Sequence, residues 1–267
     1  MSKRYSRIEK SPGDKVYVEL ARGGADILDG PPWLGGNPTG ERIEGFADSG
    51  IGARPLVCPV EPRKIMCVGR NYRAHAKELG NEVPVEPMIF YKPPTSLIGP
   101  GAEIELPPTR ISSKVEHEAE LTVVVGQRLT RASEEEARAA VFGLTIACDV
   151  TARDLQKKDG QWWRAKGMDT FCPVGPVIVT GLDPHALTIT CRVNDEIRQH
   201  GSTADMIFSV ARVLAHISDV ITLEPGDLVL TGTPEGVGPL LAGDRLAIEI
   251  SSIGTLNVVV SAPRAET

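Results

Sequence analysis

Short runs of β-branched and leucine residues, each closed by glycine, proline or a polar cluster, recur along the chain. Such runs are the signature of strands, and the breakers between them mark turns. They predict strands over 64–69, 88–91, 119–125, 142–148, 176–180, 187–193, 228–231, 244–250 and 255–260. One or two more are expected over 14–30. Helical spacing is rarer. Ile207, Val210, Val213, Leu214 and Ile217 share one helical face, which predicts a helix over 204–217. Ser133, with Glu136 three residues on, has the capping-box pattern ahead of a helix over 134–140. Many strands with few helices, not strictly alternating, predict a β-rich α+β fold rather than a doubly wound one.

The stretch "DGPPWLGGNPTGERIEG", 29–45, is rich in breakers and reads as a loop. The pattern becomes denser from "PRKIMCVGRNY" onward. This suggests a small β-rich N-terminal domain, 1–60, and a main domain, 61–267. With 267 residues, 41% of them hydrophobic, the chain can bury a large core. A net charge of −6, no basic run and only 4% aromatics argue against nucleic acid or an anionic membrane as a partner. The N-terminal "MSKRYSRIEKSPG" is basic but lacks the apolar segment of a secretory signal. No apolar run approaches the roughly 18 residues of a membrane helix. Cys58, Cys67, Cys148, Cys172 and Cys191 are scattered, with no C-x-x-C pair, so they read as reduced core thiols of a cytoplasmic protein. Nucleotide-binding glycine motifs are absent. "TGTPEGVG", 231–238, is as readily a tight turn as a ligand-contacting loop.

Chemistry enters with "VEHEAELTVVVG", 115–126. Glu116, Glu118 and Glu120 occupy every second position, so a strand would aim them at one face. Like charges crowded beside a core repel unless something compensates them. Asp149 ends another apolar run, "FGLTIACDV", and joins Glu118 and Glu120 if the two strands are neighbours. An all-oxygen trio suits a hard dication, Mg²⁺, Mn²⁺ or Ca²⁺. The alternative is a solvated face without a metal. Glu116 is expected to be exposed or to sit behind the other two.

"VGRNYRAHAKELG" turns helical after a strand and puts His75 and Glu78 on one face, three residues apart. A carboxylate beside an imidazole orients it and favours its protonated form, which makes a general base or a water-orienting pair. An exposed helix pair is the bland alternative. The polar, proline-bounded "GNEVPVEP" that follows has the character of a lid. "DVTARDLQKKDGQWWRAKGMDTFCPVGP", 149–176, carries Arg153, Gln156 and Lys166, able to bind a carboxylate or face a developing oxyanion. It is either a folded loop over a pocket or a packed surface excursion. "FYKPPTSLIGPG" adds Lys92 and Ser96 in a proline-set loop.

Six segments in order, "GRNYRAHAKE", "MIFYKPPTSLIGPG", "HEAELTVVVG", "CDVTARDLQ", "RAKGMDTFCPVGP" and "LTGTPEGVG", resemble the fumarylacetoacetate hydrolase superfamily over about residues 60–262. The first sixty residues are similar, more weakly, to the small N-terminal domain of its bacterial-type members. The resemblance implies a mixed β-sandwich roll, a homodimer, and Mg²⁺ or Mn²⁺ in an open carboxylate site. It implies Glu118, Glu120 and Asp149 as metal ligands, and His75 and Glu78 as the dyad that activates water or moves a proton. Lys166 would stabilise an enolate or oxyanion. Arg153, Gln156 and Thr233 would bind the substrate, a 2-oxo or 2,4-dioxo acid. Gly167 and Met168 stand where many relatives carry a serine and an aromatic, a change expected at the pocket wall. Asp195 replaces a common turn glycine. The leading expectation is hydrolysis of a C–C bond in an acylpyruvate. The alternatives are decarboxylation of oxaloacetate, isomerisation of 2-hydroxyhepta-2,4-diene-1,7-dioate in aromatic catabolism, and a non-catalytic scaffold.

Overall fold

The computed structural model describes residues 2–47, 50–51 and 55–264. Each predicted strand is present, with ends shifted by a few residues. An 11-stranded sheet forms the centre. Its path runs Pro38–Glu44, Gly24–Leu28, Asp14–Ala21, Arg4–Ser11, Cys172–Val179, Val141–Cys148, Ala119–Val125, Leu228–Leu230, Ile65–Gly69 and Met88–Lys92. Leu97–Ile98 pairs with Cys172–Val179 off this path. A five-stranded sheet, Glu103–Glu105, Gly254–Ser261, Arg245–Ile250, Thr188–Val193 and Glu196–Ser202, covers one face. The architecture is the expected β-rich α+β roll of several sheets.

The central strands are predominantly apolar because the sheet is covered on both faces. Leu121 and Val123 join Leu144, Ile146, Val229, Ile189, Ile248 and Leu256 in one cluster. Val124, between Val123 and Val125 of the first cluster, joins Ala147, Ile178, Leu228, Leu230 and Trp33 in another. Alternate residues thus feed opposite cores. Burying each such aliphatic side chain contributes about 1.5–3 kcal/mol. No helix of the described residues is long and apolar enough to cross a membrane.

The N-terminal strands continue the central sheet. Arg4 pairs with Val179 and Tyr5 with Ile178, and Ile8, Val18, Ala25, Ile27 and Ile43 form a small cluster of their own. Residues 1, 48–49, 52–54 and 265–267 of the expected domains lie outside the described residues. Pro38–Glu44 is a strand where the breakers suggested only loop, because its backbone completes the ladder of Gly24–Leu28. The predicted helix over 204–217 begins only at Val210. Asn71 takes hydrogen bonds from the N–H groups of Ile207 and Phe208 and holds that stretch out of helical geometry. Ser209 then caps the helix by accepting from the Arg212 N–H at 3.1 Å. The excursion 149–176 holds two short helices, α1 over Arg153–Lys158 and α2 over Trp163–Lys166.

Candidate active site

Strand register brings the acidic trio together. Ala119 pairs with Cys148 and Glu120 with Ala147. One step further, Glu118 meets Asp149, whose N–H donates to the Glu118 carbonyl at 2.9 Å. One carboxylate oxygen from each of Glu118, Glu120 and Asp149 lies within 4.8 Å of the others, and all three residues are buried. The chain breaks its strand at Glu118, between Val115–His117 and Ala119–Val125. Glu116 is buried rather than exposed, and it sits behind Glu118 on Arg153.

Three buried cations surround this floor. Arg153 donates from Nε to Glu116 and from Nη2 to Glu118, both at 2.7 Å, and from Nη1 to Gln156 Oε1 at 2.6 Å. Lys166 Nζ donates to Glu118 Oε2 at 2.9 Å and to Asp149 Oδ2. Lys92 Nζ donates to Asp149 Oδ1 at 2.7 Å and to the Lys166 carbonyl. Glu120 has no ion pair among the described residues; it accepts the Gly232 N–H at 2.7 Å. Lys114, exposed, adds a longer contact to Glu116 at 3.5 Å, so Glu116, Glu118 and Asp149 each have a cationic partner. Burial, then the charges of Asp149 and Glu118, push the Glu120 carboxyl well above the usual range. Burial also opposes the charge on Glu118, but Lys166, Arg153 and His75 outweigh it and hold that carboxyl low. Burial would lower the Lys166 ammonium, yet Asp149 and Glu118 keep it raised and cationic. Glu120 is the carboxylate left without a cation among the described residues, and the open donors are hard oxygens. These residues fit Mg²⁺, Mn²⁺ or Ca²⁺.

Above the floor is a cavity of about 300 Å³. Glu118, Glu120, His75, Lys166, Arg153, Gln156 and Thr233 line it, joined by Arg70, Asn81, Phe90, Lys157 and Trp162. His75 is buried on the helix Arg73–Glu78, and its Nδ1 lies 3.2 Å from Glu78 Oε2. The other Glu78 oxygen accepts the Gly236 N–H at 3.0 Å. The segment 231–238 is therefore both turn and wall: Gly232 bonds Glu120, and Thr233 faces the cavity. Gly167 and Met168 do not line the cavity. A Cβ at Gly167 would lie 2.4 Å from the Trp163 carbonyl oxygen, and Met168 packs on the core. Asp195, with φ of 68°, follows Asn194, φ 51°, in a two-residue hairpin turn, so it is turn chemistry.

Sequence reasoning placed Lys92 in a loop. It ends the strand Met88–Lys92 and lies fully buried under Asp149. Its signal was a lone lysine closing an apolar strand. Gln199 went unnoticed. Its Oε1 accepts from the Ala119 N–H at 3.0 Å and lies 3.1 Å from His117 Nδ1, while its amide donates to Thr233 Oγ1 at 2.7 Å and the Pro234 carbonyl at 2.8 Å. It ties the floor strand to the wall, on a strand whose polar sequence gave no hint of burial.

A roll of stacked sheets with a buried carboxylate floor matches a known architecture. The family model "Fumarylacetoacetate (FAA) hydrolase C-terminal" matches residues 64–261. The chain belongs to the fumarylacetoacetate hydrolase family. It is 50% identical to a protein of Methanocaldococcus jannaschii over 206 residues, 77% of this chain and 86% of that one. It is 44% identical to the oxaloacetate tautomerase YisK of Bacillus subtilis over 211 residues, 74% of this chain and 70% of that one. The solved 2-hydroxyhepta-2,4-diene-1,7-dioate isomerase of Mycobacterium marinum superposes with a TM-score of 0.87 at 40% identity, over 97% of this chain and 98% of that one. The names of these relatives speak for the expected alternatives rather than for C–C hydrolysis.

Proposed function

We propose that this chain is an enzyme of proton transfer on 2-oxo acids: a keto–enol tautomerase of oxaloacetate or a closely related acid. Isomerisation of a 2-hydroxydienoate is the same chemistry drawn over a longer conjugated system. The observation that carries the reading is His75, oriented by Glu78, on the wall of the same small cavity that Glu118 and Glu120 line, with Asp149 grouped beside them. The relatives named as a tautomerase and an isomerase point the same way.

A divalent cation held by Glu118, Glu120 and Asp149 would supply a Lewis acid for the carboxylate–carbonyl end of the substrate. The protein's own groups do the rest. With Nδ1 committed to Glu78, His75 has Nε2 left to take the proton from the carbon beside the carbonyl. The electron pair of that C–H bond becomes the enolate double bond, and the carbonyl oxygen gains the negative charge. Lys166 stands by as a buried cation for that oxygen. Return of a proton to the oxygen gives the enol, and its return to carbon restores the ketone. No water is consumed, so hydrolysis requires an additional participant that tautomerisation does not.

The test is the rate of enol–ketone conversion of oxaloacetate, followed by enol absorbance and by deuterium exchange at the methylene carbon. Measurements are made with Mg²⁺, with Mn²⁺ and with EDTA. Catalysed exchange that EDTA abolishes is expected. Metal-dependent release of pyruvate and acetate from acetylpyruvate, without catalysed exchange in oxaloacetate, would overturn the reading in favour of hydrolysis.

A further inference from the structure

The pocket wall carries a cation that the acidic floor does not use. Arg70 follows the strand Ile65–Gly69 and lines the cavity with His75, Gln156 and Thr233. Its backbone is left-handed, with φ of 60°. A long side chain takes that conformation only where the surroundings impose it. The surroundings here are rigid. Gly69 is paired with Met88 in the sheet. Asn71 is fully buried; its amide donates to the carbonyls of Phe208 at 3.1 Å and Thr231 at 2.8 Å, and its carbonyl accepts the Phe208 N–H at 2.8 Å. Tyr72 bridges Met206. The backbone that carries Arg70 is therefore fixed on both sides.

Use of the cations differs sharply across the site. Arg153 and Lys166 each bind two carboxylates, and Lys92 binds one. Among the described residues the Arg70 side chain has no hydrogen bond or ion pair, although it is half-buried. Its guanidinium is a planar fork matched to a carboxylate. Lys157 also lines the cavity, but it is exposed on a flexible stem. The substrates in the relatives' names, oxaloacetate and a heptadiene-1,7-dioate, each carry a second carboxylate. The carboxylate–carbonyl end of such an acid suits the floor, which leaves the far carboxylate to be met from the wall.

Resting on the proposed function, we infer that Arg70 binds the second, remote carboxylate of the substrate and so selects dicarboxylic over monocarboxylic 2-oxo acids. The probes are oxaloacetate and its 4-methyl ester, which keeps the 2-oxo end and removes the remote charge. Binding of each is measured by calorimetry with Mg²⁺ present, for wild type, Arg70→Gln and Arg70→Lys. Circular dichroism confirms that the variants are folded. Loss of one charge-assisted contact corresponds to roughly 10- to 100-fold in affinity. Wild type is expected to prefer the dianion by that factor. Arg70→Gln should bring the ratio close to one, and Arg70→Lys should fall between. Turnover of oxaloacetate by Arg70→Gln should show the loss in KM more than in kcat. The same preference in wild type and Arg70→Gln, or no preference in wild type, would overturn the assignment. Because the readout is a ratio of affinities, it decides the role of Arg70 even if wild type catalyses no exchange, an outcome that would refute only the tautomerase reading.

Discussion

The floor and the mouth of the pocket handle charge in opposite ways. On the floor, Lys92, Arg153 and Lys166 are buried and each is bound to a carboxylate. At the mouth, Arg70 and Lys157 line the same cavity, and neither carries an ion pair among the described residues. Burying a charge is costly unless it is paired, so the floor cations hold the acidic cluster together before any ligand arrives. A partly solvated cation has no such obligation, and the mouth can reserve its charge for an incoming acid. The acidic floor is set by strand register, while its cations come from the strand end at Lys92 and the short helices Arg153–Lys158 and Trp163–Lys166. The mouth draws on the turn at Arg70 and on Lys157 of the first of those helices.

Substitutions can break that contrast, and the largest effect belongs to the wall. His75→Ala removes the proposed base without touching the floor. It should lower kcat for oxaloacetate enolisation by about 10²–10⁴ while the denaturation midpoint stays near wild type. A kcat within a few-fold of wild type would remove His75 from the mechanism. Lys92→Met should do the reverse. It leaves Asp149 short of a buried partner, and breaking such a pair costs about 3–5 kcal/mol of stability. Urea unfolding checks this, and an unchanged midpoint would show that the floor does not depend on Lys92.

Gln199→Leu strands no charge, and its cost should be comparable to that of Lys92→Met. The change orphans the Ala119 N–H and the Pro234 carbonyl, and each unpaired buried group costs about 1–3 kcal/mol. The smallest effect is expected at the thiols. All five cysteines are buried, and burial pushes Cys58, Cys172 and Cys191 up to about 12. Native protein should resist iodoacetamide at about pH 8, whereas denatured protein should take five labels. Rapid labelling of the native state would mean that the cores beneath the sheet open easily.

The sequence revealed the strands that form the floor more readily than the charges that complete it. "LTVVVG" and "FGLTIACDV" are apolar runs, and the sheet that buries them on both faces is what such runs require. The polar edge strand Glu196–Ser202 and the strand Pro38–Glu44 lack that signal, since ladder hydrogen bonds to their neighbours place them. The alternating glutamates were visible as a pattern, but their common destination depends on the pairing of Ala119 with Cys148. Lys92 and Arg70 illustrate the limit. A cation's burial or freedom is set by groups distant in the chain, and a single sequence carries no local mark of it. His75 and Glu78 lay within that limit because three residues along a helix form a local relation.

The acidic trio itself is most directly tested by Mn²⁺ titration followed by electron paramagnetic resonance, on wild type and on Glu120→Gln. Wild type should sequester one Mn²⁺ per chain, with the free-ion signal suppressed until that equivalent is filled. Glu120→Gln removes the one carboxylate of the trio without a cationic partner among the described residues, and it should weaken binding severely. If wild type leaves the free-ion signal intact, or if Glu120→Gln sequesters the ion as tightly, then Glu118, Glu120 and Asp149 do not form a metal site.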